Sequence, residues 1–115
     1  MQLRSRLPSR SEILFLEFLI QKASLKFPID WHIGLHVVEL NDGGMGSLHL
    51  LPRGVEEGTY RLFGERISEC QFKDIDGVDV IASLYLDRTG RLFELDIWKV
   101  DFTPLVSRPI LQVLK

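Results

Sequence analysis

The segment Val78–Phe102, VDVIASLYLDRTGRLFELDIWKVDF, constrains the fold more than any other, because its pattern suits two paired strands and little else. From Val78 to Leu86 the residues Val78, Val80, Ala82, Leu84 and Leu86 alternate with Asp79, Ile81, Ser83 and Tyr85. A period of two sends successive side chains to opposite faces of a strand, so one face is oily and the other mixed. Asp87-Arg88-Thr89-Gly90 then supplies an acceptor that folds back on its own backbone and a glycine free to take positive φ, as a short hairpin loop requires. Leu92–Val100 is the returning strand, with Phe93, Leu95 and Ile97 expected on one face and Glu94, Asp96 and Trp98 on the other.

The mixed face is the candidate site. Where the register brings the strands together suitably, Ser83 and Tyr85 lie beside Glu94, Asp96 and Trp98. Residues two apart on a strand have Cα atoms roughly 6.5–7 Å apart. At that separation two carboxylates can share one cationic or sugar-like ligand, with an indole as a stacking wall. Three readings stay open: a solvated face of the kind antiparallel sheets commonly present, a surface for a cationic partner, and a catalytic carboxylate pair.

A chain of 115 residues is the size of one domain and can bury a core, so residues 1–115 are read as a single domain. Hydrophobic residues at 45 % and charged ones at 26 % exclude a disordered chain, and a net charge of −2 gives no footprint for nucleic acid. The charge is unevenly spread. Arg4, Arg6, Arg10, Lys22 and Lys26 outweigh Glu12 and Glu17 near the start, whereas Glu69, Asp74, Asp76, Asp79, Asp87, Glu94, Asp96 and Asp101 make the hairpin region acidic. A single cysteine, Cys70, excludes an intrachain disulfide and leaves the cytoplasm as the expected compartment. Arg4, Arg6 and Arg10 before Ile13–Ile20 imitate a leader, but Glu17 interrupts the run and no small-residue cleavage site follows. The run is also far short of the ~20 residues of a spanning helix, so no membrane partner is expected.

Ser9 and Glu12 have the spacing of a capping box, which predicts a helix from about Arg10 to about Ala23. Ile13, Leu14, Phe15, Leu16, Phe18, Leu19 and Ile20 occupy most of its circumference, so it must be covered on more than one side, by a curved sheet or by a second copy of the chain. After a connection ending at Trp31, a strand is expected over Ile33–Leu40, stopped by the turn-rich Asn41–Ser47, NDGGMGS, and followed by a return strand over Ser47–Leu51. Arg53–Glu65 has no period and reads as an exposed loop, with room for a short ordered piece near Tyr60–Phe63. Arg66–Phe72 is a further strand, turned into the hairpin by Lys73–Gly77, and the apolar tail Ile110–Leu114 packs on the domain or reaches a neighbour. The architecture expected is α+β: one N-terminal helix packed on a curved, mainly antiparallel sheet of about five strands, a cup or half-barrel if the sheet wraps the helix.

NDGGMGS could cradle an anion, but no helix signal follows Gly46 and no Gly-Lys-Ser/Thr ending is present, so a turn is the expectation. His32 and His36 lie four apart with His49 beyond. On strands that spacing spans about 13 Å, too far for one zinc at ~2.0–2.1 Å bonds, so no metal and no cofactor are expected. Asp42, Ser47 and His49 lack the strand-to-helix setting of a nucleophile. Cys70, beside Glu69, is expected to pack rather than react.

These residues resemble a family of small, uncharacterised bacterial domains, on segments like NDGGMGSL at Asn41–Leu48, ISECQFKDIDGVDVIASL at Ile67–Leu84 and FELDIWKVDFTPL at Phe93–Leu105, the last being the most specific. The resemblance carries no activity, substrate or catalytic residue with it. Small domains of this class are often neutralising partners of toxins, an analogy of size and class. Three functions are therefore expected in competition. The first is a binding module engaging a basic protein partner through Glu94, Asp96, Trp98, Tyr85 and Ser83, an immunity-type inhibitor being one form. The others are a cup-shaped ligand carrier or enzyme with a carboxylate general base, and a structural homodimer.

Overall fold

The computed structural model describes residues 4–106. In chain order they form α1 (Arg10–Lys22), β1 (His36–Glu39), β2 (Leu48–Leu51), β3 (Phe63–Lys73), β4 (Asp79–Asp87) and β5 (Leu92–Lys99). The strands make one open antiparallel sheet in the order β1-β2-β5-β4-β3, with β1 and β3 as its edges, and α1 lies over β3 and β4. This is an α+β fold of one helix on a five-stranded sheet. The apolar tail Ile110–Leu114 falls outside the described residues.

The helix begins as the capping box predicts: the Ser9 hydroxyl accepts the Glu12 N–H at 3.2 Å and the Glu12 carboxylate accepts the Ser9 N–H at 2.8 Å. Glu12 also takes both guanidinium nitrogens of Arg6, at 2.8 and 2.9 Å, which satisfies a carboxylate buried under the sheet rim. Phe15, Leu16, Leu19 and Ile20 form the buried stripe at helical spacing, while Ile13, Leu14 and Phe18 are only half-buried. The buried stripe meets Val37, Leu48, Leu50, Leu84, Leu95 and Ile97 in one core, closed at its margin by Phe27, Trp31 and Leu105.

β1 is shorter than the strand expected over Ile33–Leu40. Residues Pro28–Leu35 curl through successive turns, with Trp31 N–H bonded to Pro28 O, Ile33 N–H to Asp30 O and Leu35 N–H to His32 O, so pairing starts only at His36. β3 is longer than expected and begins at Phe63, inside the stretch read as a loop.

The chain between β2 and β3 crosses from the middle of the sheet to its far edge, because β5 and β4 lie between them. Arg61 anchors that crossing. Its guanidinium donates to Leu50 O at 2.6 Å, to Leu92 O and to the Asp87 carboxylate at 2.9 Å, and it is almost wholly buried. Burial works to raise the Asp87 carboxyl, but hydrogen bonds from Thr89, Arg91 and Arg61 outweigh it and hold the group below the usual carboxylate range. At the other end of β5, Lys99 points to the core side with no exposure. Its ammonium reaches Asp74 at 2.9 Å, Asp76 at 2.5 Å and Pro104 O at 3.1 Å, joining the β3–β4 turn to the exit from β5.

Candidate functional site

The register settles which residues of the mixed face meet. Tyr85 stands opposite Glu94, Ser83 opposite Asp96 and Ile81 opposite Trp98, while His49 of β2 flanks Glu94 from the other side. β5 is a central strand, so both of its carboxylates sit mid-sheet rather than at a frayed edge.

Phe93 does not share the oily face of Leu95 and Ile97. The pairing slips between Tyr85–Glu94 and Leu86–Leu92, so Phe93 is the extra residue of a β-bulge, and its ring turns to the open face. There the His49 ring meets it edge-on at 5.4 Å, and the Arg61 guanidinium carbon lies 5.2 Å from its centroid. Phe63, the first residue of β3, packs on Tyr85 at 5.4 Å between centroids.

Phe63, Tyr85, Phe93, Glu94 and Asp96 line a shallow groove of about 360 Å³ on this face. Of the five residues expected at the site, Tyr85, Glu94 and Asp96 line it. Ser83 is on the same face but only 5 % exposed, and Trp98, 40 % exposed, lies one step along β5 and packs on Phe102 at 6.1 Å. Phe63 and Phe93 were not expected there.

Burial, then the nearby charge of Asp96, raises the Glu94 carboxyl above its ordinary value. Burial and the Arg61 charge lower His49, which favours the neutral ring. Neither Glu94 nor Asp96 forms an ion pair among the described residues. The Ser47 hydroxyl lies 3.4 Å from Asp96 and accepts the Ile97 N–H at 2.8 Å, so it tethers β5 to the loop before β2. Two carboxylates beside three aromatic rings can hold a cation through charge and through the negative faces of the rings.

The other motifs take their places outside the groove. In Asn41–Ser47 the Asp42 carboxylate accepts the N–H groups of Met45 and Ser47 at 3.0 and 2.9 Å, so those donors serve the turn itself. His32 stacks edge-on against Trp31, away from His49 on Phe93. Among the described residues no group of three or more His, Cys, Asp or Glu could hold a metal ion. Cys70 is buried in β3, and its thiol is pushed up by burial. No described helix is long and apolar enough to cross a membrane.

No curated protein and no solved structure gives a significant match to the chain. A family model described as a domain of unknown function, DUF6984, matches residues 5–109, which include the helix, every strand of the sheet and the groove, and the chain belongs to that family.

Proposed function

We propose that the protein is a non-enzymatic binding module whose groove takes a guanidinium or ammonium group of a basic protein partner. The observation that carries this reading is the pair Glu94 and Asp96, two carboxylates without an ion-pair partner in one concavity with Phe63, Tyr85 and Phe93. A planar guanidinium suits it best, since it stacks on rings and bonds carboxylates side-on. Trp98 extends the surface beyond the groove toward Phe102. An immunity-type inhibitor, covering a basic surface of the protein it neutralises, is one concrete form.

The reading is tested by calorimetric titration with a short arginine-rich peptide and its citrulline analogue, which keeps the shape and loses the charge. Binding of the arginine peptide alone is expected, and Glu94→Gln/Asp96→Asn is expected to weaken it about 10- to 100-fold, because the amides keep an acceptor oxygen but lose the charge that makes each hydrogen bond about 1 kcal/mol stronger. Equal affinity for both peptides, or for the double variant, would sink the idea.

The pH dependence has a definite sign. The Glu94 carboxyl is raised in the folded chain, so it keeps its proton to a higher pH than in the unfolded chain, and ionising it there weakens the fold. A cation prefers the ionised form. Affinity for the arginine peptide is therefore expected to rise with pH through the raised Glu94 value and then level off, and Glu94→Gln is expected to flatten the curve.

A second reading draws on the same raised carboxyl, which is the condition of a general base. It makes the protein a ligand carrier or enzyme for a small cationic molecule. Binding of free arginine amide as tightly as the peptide would favour it over a protein partner.

A further inference from the structure

The two edges of the sheet are finished differently. β1 is covered by the N-terminal segment, where Arg6 and Val37 exchange N–H···O bonds of 2.9 and 2.8 Å. β3 has β4 on one side and no strand on the other among the described residues. Its irregularities lie near its start, between Phe63 and Glu65 and between Arg66 and Ser68, so residues 68–73 are an unbroken stretch.

The direction of the free backbone groups follows from the turn. Asp74 donates its N–H to Val78 O at 2.9 Å and accepts the Gly77 N–H at 2.8 Å, so its backbone faces β4. Antiparallel alternation directs Phe72 and Cys70 the same way and turns the N–H and C=O groups of Glu69, Gln71 and Lys73 outward. Three successive outward pairs of donors and acceptors are a template for another strand.

We propose that a second copy of this chain occupies this edge, with the two β3 strands antiparallel about a two-fold axis at Gln71, giving one sheet continuous across both subunits. Charge selects the register. With Gln71 opposite Gln71, Glu69 of each copy faces Lys73 of the other, twice over, while Cys70 faces Phe72 on the core side. Centring the axis on Glu69 would set carboxylate against carboxylate, and centring it on Cys70 or Phe72 would separate the glutamates from the lysines. Glu69 and Lys73 are otherwise engaged only on the surface, with Arg66 at 2.6 Å and Asp79 at 2.9 Å, exposed pairs of little net value in water.

The helix contributes on the same side. Phe15 packs edge-on against Phe72 of β3 at 5.8 Å, so the helix lies over this strand, and Leu14, Phe18 and Lys22, with the Lys22 ammonium 5.7 Å from the Phe18 centroid, form one row at a spacing of four. Leu14 and Phe18 are half-buried, and the matching row of a second copy covers what remains. This accounts for the excess of apolar residues on a helix that needs covering on more than one side.

Sedimentation equilibrium of the full chain tests the proposal, and a mass of twice 13.3 kDa is expected at micromolar concentration. Glu69→Lys and Lys73→Glu each place like charges opposite one another, and each is expected to weaken the dimer by roughly tenfold or more. An equimolar mixture of the two variants is expected to restore the dimer, because the lysines of one chain then face the glutamates of the other in both pairs. The double variant Glu69→Lys/Lys73→Glu is expected to dimerise alone. Both positions are exposed, and unchanged circular dichroism separates lost pairing from lost folding. A monomeric wild type, a dimer that both single variants retain, or a mixture that stays monomeric overturns the proposal.

Discussion

Arg61→Met is expected to lower the stability of the fold by about 3–5 kcal/mol, the usual cost of removing one partner from a buried ion pair. The replacement is close in length and apolar, so what is lost is mainly charge and hydrogen bonding. Three acceptors lose their donor at once: the Asp87 carboxylate, Leu50 O and Leu92 O. Those carbonyls belong to β2 and β5 beyond the point where the two strands stop pairing, since their register covers only Leu48–Leu95 and His49–Glu94. The guanidinium thus bridges a gap in the sheet that no backbone bond fills. Asp87 keeps the Thr89 and Arg91 N–H groups, so the hairpin turn survives while the crossing from β2 to β3 loosens. Chemical denaturation is the measurement, and a midpoint lower by roughly 10–25 °C on heating is the matching thermal result. Arg61→Lys is expected to fall between, because an ammonium keeps the charge but cannot span three acceptors in one plane. A loss below 1 kcal/mol for the methionine variant would mean that water replaces the guanidinium at no cost.

Arg61 also marks where the sequence stops being informative. It lies in Arg53–Glu65, a stretch without period, and nothing local distinguishes it from a surface arginine. Its acceptors are 11, 26 and 31 residues away, so the site exists only once the strand order is known. Lys99 is similar. By alternation it belongs to the face of Leu95 and Ile97, yet a lysine there reads as a strand end until Asp74 and Asp76 of the preceding turn are brought to it. Features that depend on a short window were legible: the β4–β5 alternation, the turn at Asp87–Gly90 and the Ser9–Glu12 capping box. Each is written in residues at most a few positions apart, so a short window is enough to read it.

The groove was half legible for the same reason. Tyr85, Glu94 and Asp96 follow the period of two and fell where the alternation put them. Phe93 did not, because a bulge adds one residue to one strand and offsets the alternation before it, so Leu92 is buried in the core and Phe93 turns to the groove, while Glu94 onward keep the expected sides. Phe63 lies at the end of a short piece expected to be ordered, but the unpatterned stretch around it assigns it neither a strand nor a face. Two of the three rings of the groove, Phe63 and Phe93, therefore came from irregularities of the sheet, and Tyr85 and the carboxylates came from its regular part.

The β3 irregularity gives the second large effect. Gly64 is the unpaired residue between Phe63, opposite Asp87, and Glu65, opposite Leu86. A Cβ there would stand 2.6 Å from the Asp87 carbonyl carbon and 2.9 Å from Leu86 O, with the Asp87 oxygen closer still. All three are backbone atoms of the neighbouring strand, so no side-chain rotation can clear them. Gly64→Ala is expected to destabilise the protein by about 1–3 kcal/mol, as overpacking does when the backbone must shift. The shift has a direction. To admit the methyl group β3 must move off β4 at its start, which carries Phe63 away from Tyr85 and opens the groove on that side. Affinity for a cationic peptide should then fall together with stability, whereas Phe63→Leu, which leaves Gly64 and the bulge in place, should weaken binding by the loss of one ring face with a smaller change in the unfolding midpoint. Denaturation and peptide titration on the two variants separate the effects. Full peptide affinity in Gly64→Ala alongside the lost stability would show that the bulge shapes the fold without shaping the site.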